Sequence, residues 1–430
     1  MMHGIRIYIP ADFSFYNEVV YTWHILASSL SIPFTLVDEK SNADVIISGS
    51  DDADIFVGSN LFEGIIHKDQ FGFRNYFGKE PIYFENGKPD YISTLFYLIN
   101  CVQEYGSAEV DELGRFRYEA SLQRHFGVID KNLAYSYMLQ VCRKVKALNR
   151  FVQYEERSVF VLSHDIDSLF GSLKQDGAWA ARHFRFDAVA KLLMNAALAK
   201  PAWFNIDAIL KIESEFEFKS AFFWLVNRGK INARETNADY DIGSIDVKSA
   251  VQAVSAIGFE NGLHKSISSE RFDDEIRKMP VPVQINRNHY LKFALPSHYN
   301  EIEGSGIKLD SSLGFAEHYG FRNSFGLPFF PYNLKNRSVH TFLEAPLHIM
   351  DGTFRSYMKI PVQHTAERII GFLENNQSGV VFSILWHNTF FTDYKYGGYL
   401  AEYKKILTYL YESKMNCMLY TDLLEKYKQK

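Results

Sequence analysis

The sequence predicts an α/β protein whose larger part is a parallel sheet, layered or curled into a barrel, preceded by a smaller α/β unit. Two observations carry this. From residue 159 onward short apolar runs alternate with helix-patterned segments of ~8–15 residues, the signature of parallel strands with helical crossovers. The opening of the chain repeats the alternation on a smaller scale.

In that opening, IRIYIP at 5–10, FTLV at 34–37 and Val45–Ile47 have the composition of short strands, and FYNEVVYTWHILASSL between the first two has helical spacing. Residues 92–107 and 115–150 read as helices. EERS at 155–158 is the best boundary, so the expected division is 1–150 and 151–430. Beyond it, VFVLS at 159–163, SAFFWLV at 220–226, GLH at 262–264, VPVQINRNHYL at 281–291 and GVVFSILWHN at 379–388 are the expected strands. VKSAVQAVSAIGF and RFDDEIRKM are helices between them.

Bulk properties exclude some classes. The chain has 430 residues, 47% hydrophobic and 23% charged, ordinary for a globular protein of roughly two or three domains. Its net charge of −5, from 51 acids and 46 bases spread along the sequence, leaves no basic face for a nucleic acid. Cys101, Cys142 and Cys417 lie far apart, and one is left over in any pairing, which favours a reducing compartment. The N-terminus lacks a signal-like apolar run of ~7–15 residues, and no stretch approaches the ~18 apolar residues of a membrane span. The expected location is the cytoplasm. The 16% aromatic content either lines a sugar-binding cleft or builds a core with rings in place of Leu.

Chemistry-bearing residues gather where strands end. In VFVLSHDID, Ser163, Asp165 and Asp167 share a face if the strand stays extended. Two carboxylates so close call for a cation or a shared proton, unless Asp167-Ser168 only caps the next helix. His264 follows GFENGL, Arg287 and His289 alternate onto one face of QINRNHYL, and His387 ends VVFSILW. Each has a bland alternative as a packed histidine or surface charge, but four successive strands ending in Asp-x-Asp, His, Arg-x-His and His is not a scatter. In such folds functional groups collect at the C-terminal strand ends.

This order resembles the polysaccharide deacetylase family, the carbohydrate esterases that remove N-acetyl or O-acetyl groups from glycans with one divalent metal. The resemblance spans roughly 159–415 and implies a distorted (β/α) barrel. It implies Asp165 as catalytic base, Asp167 and His264 as metal ligands, Arg287 as the group orienting the base, the Tyr290 backbone N–H at the oxyanion, and His387 as general acid. SAFFWLV resembles the family's second strand, AIGFENGLH its approach to the metal, RNHY its Arg-x-x-Tyr motif, and Leu385-Trp386-His387 its last motif. A subgroup with a separate N-terminal domain is closer still, through LSHDID, GIKLDSSLGFAEHYGFRNSFGLPF and EAPLHIMDGTF, and its members occur among genes for bacterial surface polysaccharides.

One position departs. The family's second metal histidine, four residues after the first, is here Ser268, a poor zinc ligand. His289 is the best substitute, or else merely packs beside Tyr290. Asp310, Arg322 and Trp386 are assigned to an acetylated sugar or oligosaccharide, although Asp310 and Arg322 would serve equally as buried ion pairs. The expected cofactor is one divalent ion, zinc or another transition metal. Two rival functions stand beside deacetylation: a glycoside hydrolase using Asp165 and Asp310, and a degenerate deacetylase that binds glycans or serves in assembly.

Overall fold

The computed structural model describes residues 4–154, 156–198 and 200–428; Glu155 of the expected boundary stretch lies outside them. The opening segment forms a four-stranded parallel sheet in the order Phe34–Leu36, Ile5–Tyr8, Val45–Ser48, Ile55–Phe56. The Tyr16–Ser29 and Tyr91–Ile99 helices pack together beside it, the second buried on every side. The helix expected over 115–150 is instead broken into Leu122–Phe126 and Leu133–Lys144. Gly127 stops the first at φ 62°, the left-handed conformation that closes a helix and that glycine adopts without strain.

The larger sheet has eight strands, every pair parallel. Its order is Leu343–Glu344, Leu309–Asp310, Ile285–Asn288, Glu260–Lys265, Ser220–Leu225, Val159–Ile166, Val381–Leu385, Ile349–Met350. The barrel strand that comes first in the chain, Val159–Ile166, therefore sits inside the sheet, between Ser220–Leu225 and Val381–Leu385. The edge strands, Leu343–Glu344 and Ile349–Met350, do not pair with each other, so the (β/α) barrel is distorted and open at that seam. Only residues 345–348 separate them, and Leu347 N–H reaches Leu313 O at 3.0 Å.

Register places the strand tips at one level. Leu225 pairs with His264 and His264 with Arg287, while Asp165 pairs with Phe223. Gly262 lies within this register because no side chain fits there: a Cβ would stand 2.6 Å from the Phe223 ring and 2.8 Å from Ile285. FVL at 160–162 and SAFFWL at 220–225 are buried throughout, as strands covered on both faces must be. Among the described residues no helix is long and apolar enough to cross a membrane.

Candidate metal centre

Alternation along Val159–Ile166 sends Ser163 and Asp165 to one side and His164 to the other. The guanidinium of Arg287 binds both members of the first set, with Nη1 2.9 Å from Ser163 Oγ and 2.9 Å from Asp165 Oδ1. Arg287 is fully buried, donates also to Ser311 O and Tyr420 Oη, and lies over the Phe223 ring. It thereby fixes the Asp165 carboxylate with a charge-assisted bond in a dry setting. His164 faces away, bonded to Trp386 O at 2.6 Å and to the buried Glu213 at 2.9 Å.

Asp167 follows the last strand residue and caps no helix: the next one, Ser172–Arg182, begins after Gly171 with no side-chain cap. Its Oδ1 is buried, receives no hydrogen bond, and lies 3.2 Å from His264 Nε2 and 3.4 Å from His289 Nδ1. The tautomers follow from the carbonyls behind the rings. His264 Nδ1 donates to Arg287 O at 2.8 Å, and His289 Nε2 donates to Thr236 O at 2.9 Å. In the neutral rings, the facing nitrogens, 3.1 Å apart, are both lone pairs. Backbone carbonyls behind imidazoles are how metal-binding histidines are held. Asp167, His264 and His289 form the one cluster of three metal-ligating groups found among the described residues, their ligand atoms within 4.8 Å of one another. An orphaned carboxylate oxygen with two imidazole lone pairs suits a divalent ion that accepts nitrogen and oxygen ligands.

Electrostatics agree. Burial, aided by His264, outweighs the pull of Asp167 and depresses His289 to about 4, leaving it neutral. For His264, burial disfavours positive charge but is outweighed by Asp165 and Asp167, which raise it, the same pull the two acids would exert on a cation. Asp167 itself is held low: burial opposes its charge, and His289, His264 and His387 outweigh burial.

His387 completes the arrangement from the far side. Its Nδ1 and its backbone N–H both contact Asp351, each at 2.6 Å, and its Nε2 faces Asp167 Oδ2 at 3.7 Å. Burial is overcome by Asp351, so His387 is lifted to about 10 and carries its proton at neutral pH. Asp351, fully buried one residue past the Ile349–Met350 strand, was not among the site residues expected from sequence. Its only signal was a polar pair, His348 and Asp351, set in apolar APLHIMDGT. Tyr290 sits at φ 60° and ψ 10°, its ring 4.0 Å from that of His289 and its carbonyl accepting from Arg115 Nη1 at 2.8 Å.

Other expected positions fall elsewhere. Ser268 turns its hydroxyl to Glu275 at 2.7 Å, within the Lys265–Glu275 ion pair, and is no part of the cluster. Trp386 was expected at the substrate, but alternation puts it opposite His387, fully buried against Tyr403. Asp310 was also expected there; it is fully buried and accepts from Asn286, Ser312 and His298 at 2.6, 2.9 and 2.9 Å. Arg322, equally enclosed, forms a bidentate pair with Glu104 at 2.9 and 2.6 Å and donates to Gly314 O. The alternative of buried ion pairs describes both, and the enclosed Asp310 does not present the open carboxylate that the pairing with Asp165 in the glycoside hydrolase reading expected.

Residues 5–150 match DUF7033, a family of unknown function. No curated protein matches the chain. Among solved structures, a Mycobacterium smegmatis protein described as a polysaccharide deacetylase is 11% identical, with 64% of this chain and 90% of that one covered and a TM-score of 0.40. An allantoinase is 13% identical, with 63% and 89% covered and a TM-score of 0.40. A peptidoglycan N-acetylglucosamine deacetylase is 10% identical, with 66% and 99% covered and a TM-score of 0.33.

Proposed function

We propose that the protein is a metal-dependent hydrolase that removes acetyl groups from a glycan or amino sugar, in bacterial surface polysaccharide metabolism. The observation that carries this is the convergence of two carbonyl-backed imidazoles on one orphaned carboxylate oxygen, with a second carboxylate and a protonated histidine beside them. Asp167, His264 and His289 would hold one divalent ion, zinc first by ligand type. When bound, such an ion polarises a carbonyl and brings a coordinated water toward a pKa of ~7.

The chain supplies the proton handling. Asp165, fixed by Arg287, is positioned to accept a proton from water. His387, charged and oriented by Asp351, gives its Nε2 proton to the departing amine or alkoxide, which cannot leave unprotonated. The Tyr290 backbone N–H is assigned to the developing oxyanion. A cleft of about 940 Å³ opens beside His289, with Asn227, Asn237, Ser266, Asn288 and Lys292 in its walls, and fits a hydroxyl-rich acetylated oligosaccharide. We read residues 1–150 as a separate α/β domain, 151–430 as the catalytic barrel, and the location as cytoplasmic.

The test is elemental analysis of the purified protein together with acetate release from acetylated oligosaccharides. About one zinc or other transition ion per chain and acetate in step with enzyme are expected. Bound metal without acetate release from any amide or ester would instead favour a degenerate deacetylase that binds glycans. No metal at all would overturn the reading.

A further inference from the structure

Between the Asp167 strand tip and the next barrel strand the chain inserts a helical hairpin, Ser172–Arg182 and Phe186–Ala197. Both of its ends are held by one residue next to His387: Asn388 Nδ2 donates to Ser168 O at 2.8 Å and to Trp203 O at 2.8 Å. The hairpin therefore springs from the rim of the candidate site.

Its surface is inverted. In the second helix Ala188 and Leu192 are buried, while the outward stripe is apolar: Phe186 is 68% exposed, Leu193 54%, Met194 57% and Leu198, just past the end, 60%. At the tip Phe184 is 78% exposed. A helix on a water-soluble surface presents polar residues there, so this face wants a partner. The charge around it identifies the partner's chemistry. Lys174, Arg182, Arg185, Lys191 and Lys200 are all exposed, and the one exposed acid of the segment, Asp187, is paired with Arg185 at 2.8 Å. This cationic and apolar patch sits on a chain whose net charge is −5. A second copy would bring like charges together across the contact, whereas an anionic bilayer accepts both features, rings below the headgroups and cations at the phosphates.

We propose that the 172–198 hairpin docks the protein on an anionic phospholipid surface, with Phe184 and Phe186 at the acyl boundary, so that the rim carrying His387 and Asn388 lies near the bilayer. The segment lies on the interface and does not span it.

The experiment is co-sedimentation of the full chain with vesicles of phosphatidylcholine alone and of phosphatidylcholine with phosphatidylglycerol at roughly 2:1. Binding is expected to be about tenfold or more stronger with phosphatidylglycerol and to weaken with salt, since a basic residue near such a surface contributes a large share of the attraction. Phe184→Ser with Phe186→Ser, at positions too exposed to matter for folding, should lower it about tenfold or more. Arg182→Glu with Lys191→Glu should do the same through charge alone, and an unchanged thermal melt certifies both variants. Absence of vesicle binding at low salt, binding untouched by either double variant, or a dimer in analytical ultracentrifugation that the Phe variant dissolves would each overturn the proposal.

Discussion

His264 and His289 present facing nitrogens 3.1 Å apart, each with its hydrogen directed backwards to a carbonyl, an arrangement that invites a cation. His289→Ala is expected to weaken metal binding by two orders of magnitude or more, whereas Ser268→Ala, whose hydroxyl serves Glu275, should leave metal content unchanged in elemental analysis. His387→Gln and Asp351→Asn should both keep the metal, the first losing ~10²-fold or more in kcat and the second a smaller factor, because Asp351 acts only through the ring it orients. A different histidine governs acid stability. His348 is buried, its Nδ1 accepts the Ser383 N–H, and burial depresses it to about 3. Its folded-state pKa is below the unfolded value, so its contribution is complete above ~6.5 and is lost as pH falls toward 3, about 2 kcal/mol by pH 5. His348→Gln should flatten that part of the stability curve in denaturant titrations at pH 7.5 and 5. The sequence made His289 readable, because it shares a strand face with Arg287. It hid Asp351, whose link to His387 arises only when two strands pair, and it misplaced Trp386, where motif adjacency outweighed the two-residue alternation that puts it in the core.

At the scale of elements, long strands were legible and short ones were not. Val159–Ile166 and Ser220–Leu225 announce themselves as apolar runs, but Leu309–Asp310, Leu343–Glu344 and Ile349–Met350 have two residues each and no period to detect. Nor can composition foresee that a strand needs a glycine for a neighbour's ring. Gly262→Ala is expected to cost ~1–3 kcal/mol, since the new methyl meets Phe223 and Ile285 inside the barrel. Gly371→Ala, in the Thr365–Glu374 helix with nothing within 4 Å of its Cβ position, should instead stabilise by up to ~1 kcal/mol. Urea midpoints for the pair should move in opposite directions.

Across the whole molecule, ion pairs and hydrogen bonds tie the opening segment to the barrel. Glu104 grips Arg322 with both side chains about 2% exposed, Glu18 holds Arg337 and Tyr332, and Arg115 reaches the Tyr290 carbonyl in the site loop. We expect one calorimetric transition for the full chain, and Glu104→Gln to lower stability by ~3–5 kcal/mol by stranding a buried guanidinium. These contacts join positions 175 to 319 residues apart, which is why the sequence showed Arg322 only as a charged residue in an apolar setting. The sheet order carries a last consequence, in time. The first barrel strand is flanked by the last, His164 meeting the Trp386 carbonyl across 222 positions, so during synthesis its side toward Val381–Leu385 must wait, unpaired, until nearly the whole chain has emerged. The small N-terminal sheet, complete by Phe56, is free to form long before. A nascent chain would therefore hold an assembled beginning and an apolar strand awaiting its partner, and that interval is when it most needs a chaperone.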